Sequence, residues 1–462
     1  MHVSPKKLLS SCVTNPRLLY RLSTEESPDM KVGVFQKHEA AAKEDMMSTP
    51  APRVHNLICG LDIGTTKVAF VIANASSKGL EVLGLGQVAH LGARHGVIVN
   101  IEAASEAIKK AREEAELMSG LRAEKVWISV GGSHIHSFDS QGMVAVRGRE
   151  VSQEDISRVI EAAKAIAIPS DRQVLHVLPK DYKLDGQEGI ADPTGMSGVR
   201  LEAAVHIITG NRAIIQNVVK CIEKSQLQVA GLVLTPLASA LAVLSQDEKN
   251  LGVSVVDIGG GTCDVITFLR SSVTHSACIP VGGQNFTHDV ALGLRTTQTN
   301  AEEIKKKHGY ALPDMAGPDE SIEVETVGGR APRSVARSSL CGVLEARADE
   351  TLRLVKKEIE DKGFRTKLGS GVVLTGGGAE LRGLVEMGDF VFDVPVRRGL
   401  PQKVGGLTDV VSSAAFATCV GLLLFGFELE KAAIIERELD PGIGVRLEGW
   451  GRRVRDFIAK SI

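Results

Sequence analysis

The stretch Val255-Val-Asp-Ile-Gly-Gly-Gly-Thr-Cys-Asp-Val-Ile-Thr-Phe268 restricts the fold of this chain more than any other. It reads as two β-rich runs about a glycine turn. Asp257 stands at the mouth of the first run, Gly259, Gly260 and Gly261 make the turn, and Thr262 adds a hydroxyl before the chain leaves as a second strand. Glycines permit backbone conformations that other residues resist, and a turn without side chains lets its amides face an anion. The hairpin therefore suits phosphate, although three glycines alone would equally make a plain tight turn.

Two more stretches repeat the theme. Leu61-Asp-Ile-Gly-Thr-Thr-Lys-Val-Ala-Phe70 carries the same Asp-Ile-Gly core with a Thr-rich turn and an apolar exit strand. Val372-Val-Leu-Thr-Gly-Gly-Gly-Ala-Glu-Leu381 runs from a buried-type strand through a glycine triplet into a helix start. Two Asp-x-Gly hairpins followed by a strand-glycine-helix element, in that order, resemble the nucleotide site of the actin, Hsp70 and sugar-kinase superfamily.

A chain of 462 residues exceeds one ordinary core and predicts two or more domains. Its net charge of −2 supplies no field for nucleic acid, and 4% aromatics leave little surface for stacking bases. Nucleic acid is therefore not expected as a partner. The 7 cysteines are scattered and never form a C-x-x-C pair, as suits buried thiols in a reducing compartment.

Residues 1–56 lack any sustained period and read as a disordered extension or an over-long gene start. The first part of lobe 1 occupies 57–91. An inserted helix-strand-strand-helix subdomain is expected over 92–171. Asn100 caps its first helix, whose apolar side takes in Ile101, Ala104, Ile108, Ala111, Ala115 and Met118. Its strands are Val126–Val130 and Met143–Val146, and Ser152 with Asp155 starts a second helix lined by Ile156, Val159, Ile160 and Ala163. Strands at Val174–Leu178 and Ala203–Thr209 are expected to rejoin the main sheet, completing lobe 1 over 172–246. Lobe 2 follows over 247–405, a helix returning to lobe 1 over 406–427, and a charged linker over 428–444. The apolar run Ser412–Phe427 is too short and too polar for a membrane span and is expected to be core. His134-x-His136 reads as a plain surface pair, since no third metal ligand lies at usable spacing.

The last segment, 445–462, has a different character. Leu447, Trp450, Val454, Phe457 and Ile458 recur at helical spacing, with Arg446, Arg452, Arg453, Arg455 and Lys460 between them. An apolar stripe edged with cations suits an anionic membrane surface, to which each Arg adds on the order of 1 kcal/mol. Gly449 and Gly451 lower helix propensity, so folding on the bilayer is expected.

The motif order, the position of the inserted module, Val327-Gly-Gly-Arg-Ala-Pro-Arg-Ser334 and Gly406-Leu-Thr-Asp409 resemble the FtsA family of bacterial cell-division proteins from about Leu57 to the C-terminus. The resemblance implies an α/β, actin-like two-lobed ATPase fold with an inserted α+β subdomain and a C-terminal amphipathic helix. It implies ATP and Mg²⁺ held by Asp62, Gly64, Thr65, Thr66 and Lys67 from one side and by Asp257, Gly259, Gly260, Gly261 and Thr262 from the other. Asp62 and Asp257 would reach the metal through water, as Mg²⁺ keeps several waters. Gly376, Gly377 and Gly378 would lie against adenosine, with Glu302 and Lys305 meeting base and ribose. Arg330, Arg333 and Arg337 would receive the acidic C-terminal tail of the tubulin-like GTPase FtsZ. Further implied partners are other copies of the chain in a filament and other division proteins, on the cytoplasmic face of the membrane at the division site.

A P-loop protein is excluded by the lack of G-x-x-x-x-G-K-[ST]. A Rossmann enzyme would leave two Asp-Ile-Gly hairpins unexplained. Sugar kinases and Hsp70 share the nucleotide motifs, but no catalytic carboxylate can be placed here and no β-rich substrate domain follows. The alternative is a superfamily enzyme or rod-shape actin homologue with active turnover. Related filaments carry Glu before the Pro of the connecting helix where this chain has Thr235, which predicts slow or negligible hydrolysis.

Overall fold

The computed structural model describes residues 56–439 except 91, 318, 329 and 330. The expectations for residues 1–55, for Arg330 and for the membrane stripe at 445–462 lie outside the described residues.

Lobe 1 starts as an antiparallel meander of β1 (Asn56–Ile63), β2 (Lys67–Ser76) and β3 (Gly79–Ala89). The helix α1 (Ile101–Ser119) is capped by the Asn100 side chain, which accepts from the Ala103 amide, as the sequence predicts. Ala104, Ile108, Ala111 and Ala115 are buried against β2 and β3, whereas Met118 at the last turn is 53% exposed. The next strand, β4 (Lys125–Val130), runs parallel to β1.

The inserted subdomain begins after β4, later than the sequence reading placed it. It comprises β5 (His136–Ala145), α2 (Gln153–Lys164), β6 (Arg172–Leu184), β7 (Gln187–Ile190) and β8 (Arg200–Asn211) in one antiparallel sheet ordered β5-β8-β6-β7. Both strands expected to rejoin the main sheet belong here instead, while α1 and β4, expected here, belong to lobe 1. The reason lies in pairing: β8 bonds to β5 along ten registered residues, His136 to Ala145, and to β6 on its other edge. The start of α2 is as predicted. Ser152 and Asp155 form a reciprocal capping box, and Ile156, Val159, Ile160 and Ala163 are buried in a separate small core.

The chain re-enters lobe 1 through α3 (Arg212–Lys224), β9 (Gln228–Leu234) and α4 (Thr235–Val243). The main sheet then reads β9-β4-β1-β2-β3. Following the short α5 (Gln246–Leu251), lobe 2 opens with β10 (Val253–Ile258), β11 (Cys263–Leu269) and β12 (Ser272–Ile279). Along β10, Val253 and Val255 join the lobe 1 core, and Val256 and Ile258 join the lobe 2 core. Both faces are covered, which is why the strand reads as continuous apolar sequence.

Two helices, α6 (Gly283–Gly293) and α7 (Gln298–His308), precede a ribbon of β13 (Ser321–Val324) and β14 (Arg333–Ala336) and the long α8 (Arg337–Asp361). Then β15 (Val372–Thr375), α9 (Leu384–Phe392) and β16 (Val396–Arg398) complete the sheet, ordered β12-β11-β10-β15-β16. A two-residue strand, β17 (Gly405–Gly406), pairs with β3 and carries the chain back to lobe 1.

The last described element, α10 (Ala417–Leu439), packs on α4 and β1 with Cys419, Val420, Leu422, Leu423, Phe425 and Phe427 buried. Among the described residues no helix is long and apolar enough to cross a membrane. The linker expected from 428 is helical as far as Leu439. Its charges read as a linker, yet Glu428 and Lys431 lie 3.9 Å apart across one turn and Ile434 is buried.

Candidate functional site

The two Asp-Ile-Gly hairpins face each other where the lobes meet. Each closes with the same four-residue hydrogen bond, from the Gly64 amide to the Lys67 carbonyl at 2.9 Å and from the Gly259 amide to the Thr262 carbonyl at 2.8 Å. Neither Gly259, Gly260 nor Gly261 has a positive φ, so the triplet is required for space rather than for an unusual backbone. A Cβ on Gly260 would stand 2.6 Å from Thr66 Cγ2, directly across the interface between lobes.

Between the turns lies a cleft of about 670 Å³, open to solvent. Asp62, Gly64 and Thr65 line it from lobe 1, and Asp257, Gly259, Gly260 and Thr262 from lobe 2. Asp62 accepts a hydrogen bond from Ser129 on β4 at 2.7 Å. Asp257 accepts from Thr418 on α10 at 3.1 Å and from Ser239 on α4. The small residues of α4 thus have a purpose, since they let that helix bring Ser239 to the acid.

A third acid, absent from the sequence assignment, completes the set. Asp264 is registered directly opposite Asp257 on β11, is 6% exposed, and accepts from Thr262 Oγ1 at 3.0 Å. Burial, then the neighbouring Asp264 and Asp62, push the Asp257 carboxyl up to about 7. Burial likewise pushes Asp264 up to about 6 and raises Asp62, the latter against the pull of Ser129 and Lys67. The signal for Asp264 was available, because it shares a strand face with Asp257 once the hairpin register is known.

Three carboxylates destabilised in their charged form suit a divalent cation. Among the described residues no three metal-type side chains converge closely enough to bind one directly. A cation reached through water, as Mg²⁺ is commonly held, would fit such a set.

The other assigned residues divide. Thr66 meets the opposite glycine turn, and a Cβ on Gly261 would stand 2.8 Å from Thr65 Oγ1. Lys67 turns away from the cleft: its ammonium donates to the Ala415 carbonyl and lies 4.2 Å from the centre of the Phe416 ring. Gly376 has φ 82°, and a Cβ there would come within 2.2 Å of Asp257 Oδ1, so this glycine is needed beside the acid. Gly378 presses on Ile258, while Gly377 has only Ala415 near it. Glu302 and Lys305 pair at 2.6 Å, and Lys305 donates to the Gly283 carbonyl at 3.1 Å. The amides of Gly283 and Gln284 in turn donate to Gly259 and Gly260, which ties this pair to the turn.

His134, read as half of a surface pair, is buried in the cleft lining, in the loop before β5 and not on a strand. Arg333, which does not line the cleft, donates to the Leu294 carbonyl at 2.7 Å. Arg337 pairs with Glu320, donates to the His308 carbonyl at 2.8 Å and stacks 4.3 Å over Tyr310.

Comparison with known proteins gives this geometry a family. The description "SHS2 domain inserted in FTSA" matches residues 132–209, and "Cell division protein FtsA" matches residues 254–421. A cell division protein FtsA from Pseudomonas aeruginosa is 46% identical over 376 residues, covering 81% of this chain and 90% of the relative.

The chain belongs to the FtsA family of cell division proteins.

The FtsA of Escherichia coli K12 is 38% identical, covering 88% of this chain and 98% of its own, and that of Bacillus subtilis is 35% identical, covering 83% and 89%. The inserted sheet β5-β8-β6-β7 is the SHS2 insertion of FtsA, and its matched limits agree with the boundaries seen here. A solved structure described as the PilM-PilN type IV pilus biogenesis complex shares the two-lobed, actin-like fold at 17% identity and TM-score 0.57, covering 81% of this chain and 99% of that one.

Proposed function

We propose that this FtsA family member binds ATP with Mg²⁺ between its lobes and, in that state, assembles with copies of itself on the membrane at the division site. The opposed hairpins with three crowded acids are the observation that carries the nucleotide reading. The metal would offset the phosphate charge. Asp62, Asp257 and Asp264 hold its water shell, the amides and hydroxyls of the two turns orient the phosphates, and Gly260 against Thr66 keeps the lobes close.

Thr235 lines the cleft at the start of α4, where related filaments carry Glu. Its hydroxyl is a poor base, so the nucleotide serves as a conformational ligand favouring the assembled state. The segment 445–462 is the membrane contact, by its apolar stripe and five basic residues. One such helix holds a monomer reversibly, and assembly multiplies the anchors.

Vesicle sedimentation tests this reading as a whole. With ATP and Mg²⁺ the chain should pellet with anionic vesicles, and Trp450→Glu should leave it in the supernatant with ATP binding intact. Phosphate release in the same mixture should stay below the roughly 1–100 per second of a kinase. Pelleting of Trp450→Glu, or turnover in that range, would overturn the adaptor reading and favour the enzyme alternative.

A further partner is the acidic C-terminal tail of FtsZ, and other division proteins join the assembly. Arg333 on the β13–β14 ribbon is assigned to the tail. Arg333 keeps an exposed side chain with one contact to the Leu294 carbonyl, whereas Arg337 is held by Glu320, the His308 carbonyl and Tyr310 and supports the ribbon. Arg333→Glu should weaken binding of the tail peptide about tenfold, the scale of a lost charged contact; unchanged affinity by titration would place the contact elsewhere.

A further inference from the structure

His134 has no role in the function proposed above. Among the residues lining the cleft it is the one with a basic side chain. It is 8% exposed, and neither Nδ1 nor Nε2 has a hydrogen-bond partner. Native proteins rarely leave such a group unsatisfied, so a buried, unpartnered imidazole in a cleft lining marks a place for a ligand atom. Burial, then Arg172 and His136, push its pKa down to about 4, so at neutral pH the ring offers one N–H and one lone pair.

Its surroundings indicate which part of a ligand it would meet. It shares the lining with Asp257, Gly259 and Thr262, whereas Glu302 and Lys305, assigned to the base and ribose, are not part of that lining. Mg²⁺ takes oxygen ligands, so an imidazole at this end suits a phosphate oxygen better than the metal.

The backbone of His134 is also a junction. It lies between β4 of lobe 1 and β5 of the insertion. The Arg172 guanidinium donates through Nη2 to the His134 carbonyl at 2.8 Å and to the Thr209 carbonyl at 3.0 Å, and through Nε to Thr209 Oγ1 at 3.0 Å. Thr209 Oγ1 donates in turn to the His136 carbonyl at 3.2 Å. One side chain therefore fastens the entry to the inserted sheet, the start of β6 and the end of β8.

We propose that His134 donates a hydrogen bond to the terminal phosphate of a bound nucleoside triphosphate, and that the Arg172 clamp passes the presence of that phosphate to the inserted subdomain. This rests on the nucleotide reading of the cleft. The ring makes no bond within the protein, so a residue of similar size without a donor removes the contact and spares the fold.

The test compares His134→Phe and His134→Gln with the unaltered full chain. Affinities for Mg-ATP and Mg-ADP are measured by calorimetry, and amide exchange is followed over 135–145 and 200–211. His134→Phe should lose about tenfold in ATP affinity and stay within about twofold for ADP, whereas His134→Gln, which keeps a donor, retains most of the preference. ATP should slow exchange in the two segments more than ADP does, and His134→Phe should abolish that difference while His134→Gln keeps it. An unaltered ATP-to-ADP ratio in His134→Phe, or an equal loss for both nucleotides, overturns the inference and leaves the cleft reading standing. Failure of the unaltered chain to bind either nucleotide overturns both.

Discussion

The hairpins of the two lobes share a turn but differ in what stands across from the acid. In lobe 1, Asp62 is registered opposite Ala69 and Ser129 hydrogen-bonds it. In lobe 2, Asp257 is registered opposite Asp264, with two hydroxyls holding it and Gly376 pressed against its oxygen. Like charges directly opposite on an antiparallel pair are destabilising. Lobe 2 therefore carries a charge conflict that a cation would relieve, and lobe 1 adds a single acid to the cleft. Under the proposed reading, crowding of this kind makes the empty cleft less stable than one holding a cation.

The largest effect should come from removing one member of the crowded pair. Asp257→Asn keeps the shape and deletes the charge. It should weaken Mg-ATP binding by about 10–100-fold, the scale for a disturbed metal environment, while raising the melting temperature of the ligand-free protein. Asp62→Asn should weaken binding with a smaller gain in melting temperature, because Asp62 has Ala69 and not an acid registered opposite it and stands behind Asp264 among the acids that push Asp257 up. Calorimetry and thermal unfolding on both variants decide the matter. A gain for Asp62→Asn as large as for Asp257→Asn would mean that the two hairpins are electrostatically alike.

The pair should also give the ligand-free protein a distinctive pH profile. The folded-state pKa values of about 7 for Asp257 and about 6 for Asp264 lie above the ordinary carboxylate value. Between that value and the folded ones, the native state holds protons that the unfolded chain has released. Stability therefore falls as pH rises, by at most roughly 1.4 kcal/mol per pH unit for each group. The decline should be steeper from pH 4 to 6, where both groups contribute, than from 6 to 7. Urea unfolding across that range should show it, and Asp257→Asn should flatten the part above pH 6. Stability rising over pH 6 to 7 would rule out the assigned protonation.

The comparison also marks where the sequence was legible. Both hairpins, the capping box at Ser152 and the cap at Asn100 are local patterns, and each is found where its residues predict. The inserted subdomain was misplaced because its boundary is set by partners far apart in sequence: His136 pairs with Thr209, and nothing near either residue records it. Asp264 and His134 escaped for related reasons. The acid shows its importance only through cross-strand register, and the histidine only when a loop at the root of the insertion places it in the cleft lining. Helix through 428–439 was missed because a charged run looks the same in a linker as on the outside of a docked helix.

The smallest expected effect concerns the lysine that ends the first turn. Lys67 and Thr262 are equivalent in the turn hydrogen bond, yet Thr262 bonds to Asp264 in the cleft, whereas the Lys67 ammonium caps the Ala415 carbonyl and rests on Phe416 just before α10. The first turn is thus fastened to the returning chain and the second to the cleft. Lys67→Met keeps the aliphatic stem against Phe416 and removes the ammonium. A hydrogen bond to a charged donor and a cation–π contact together correspond to about 2 kcal/mol of stability. Lys67→Met should lower unfolding stability by about that much while changing Mg-ATP affinity less than about threefold, well short of either aspartate variant. A large loss of ATP affinity with little change in stability would show instead that the ammonium swings into the cleft when phosphate arrives. Both turns would then serve the ligand directly, and the asymmetry between the lobes would reduce to the acid facing Asp257.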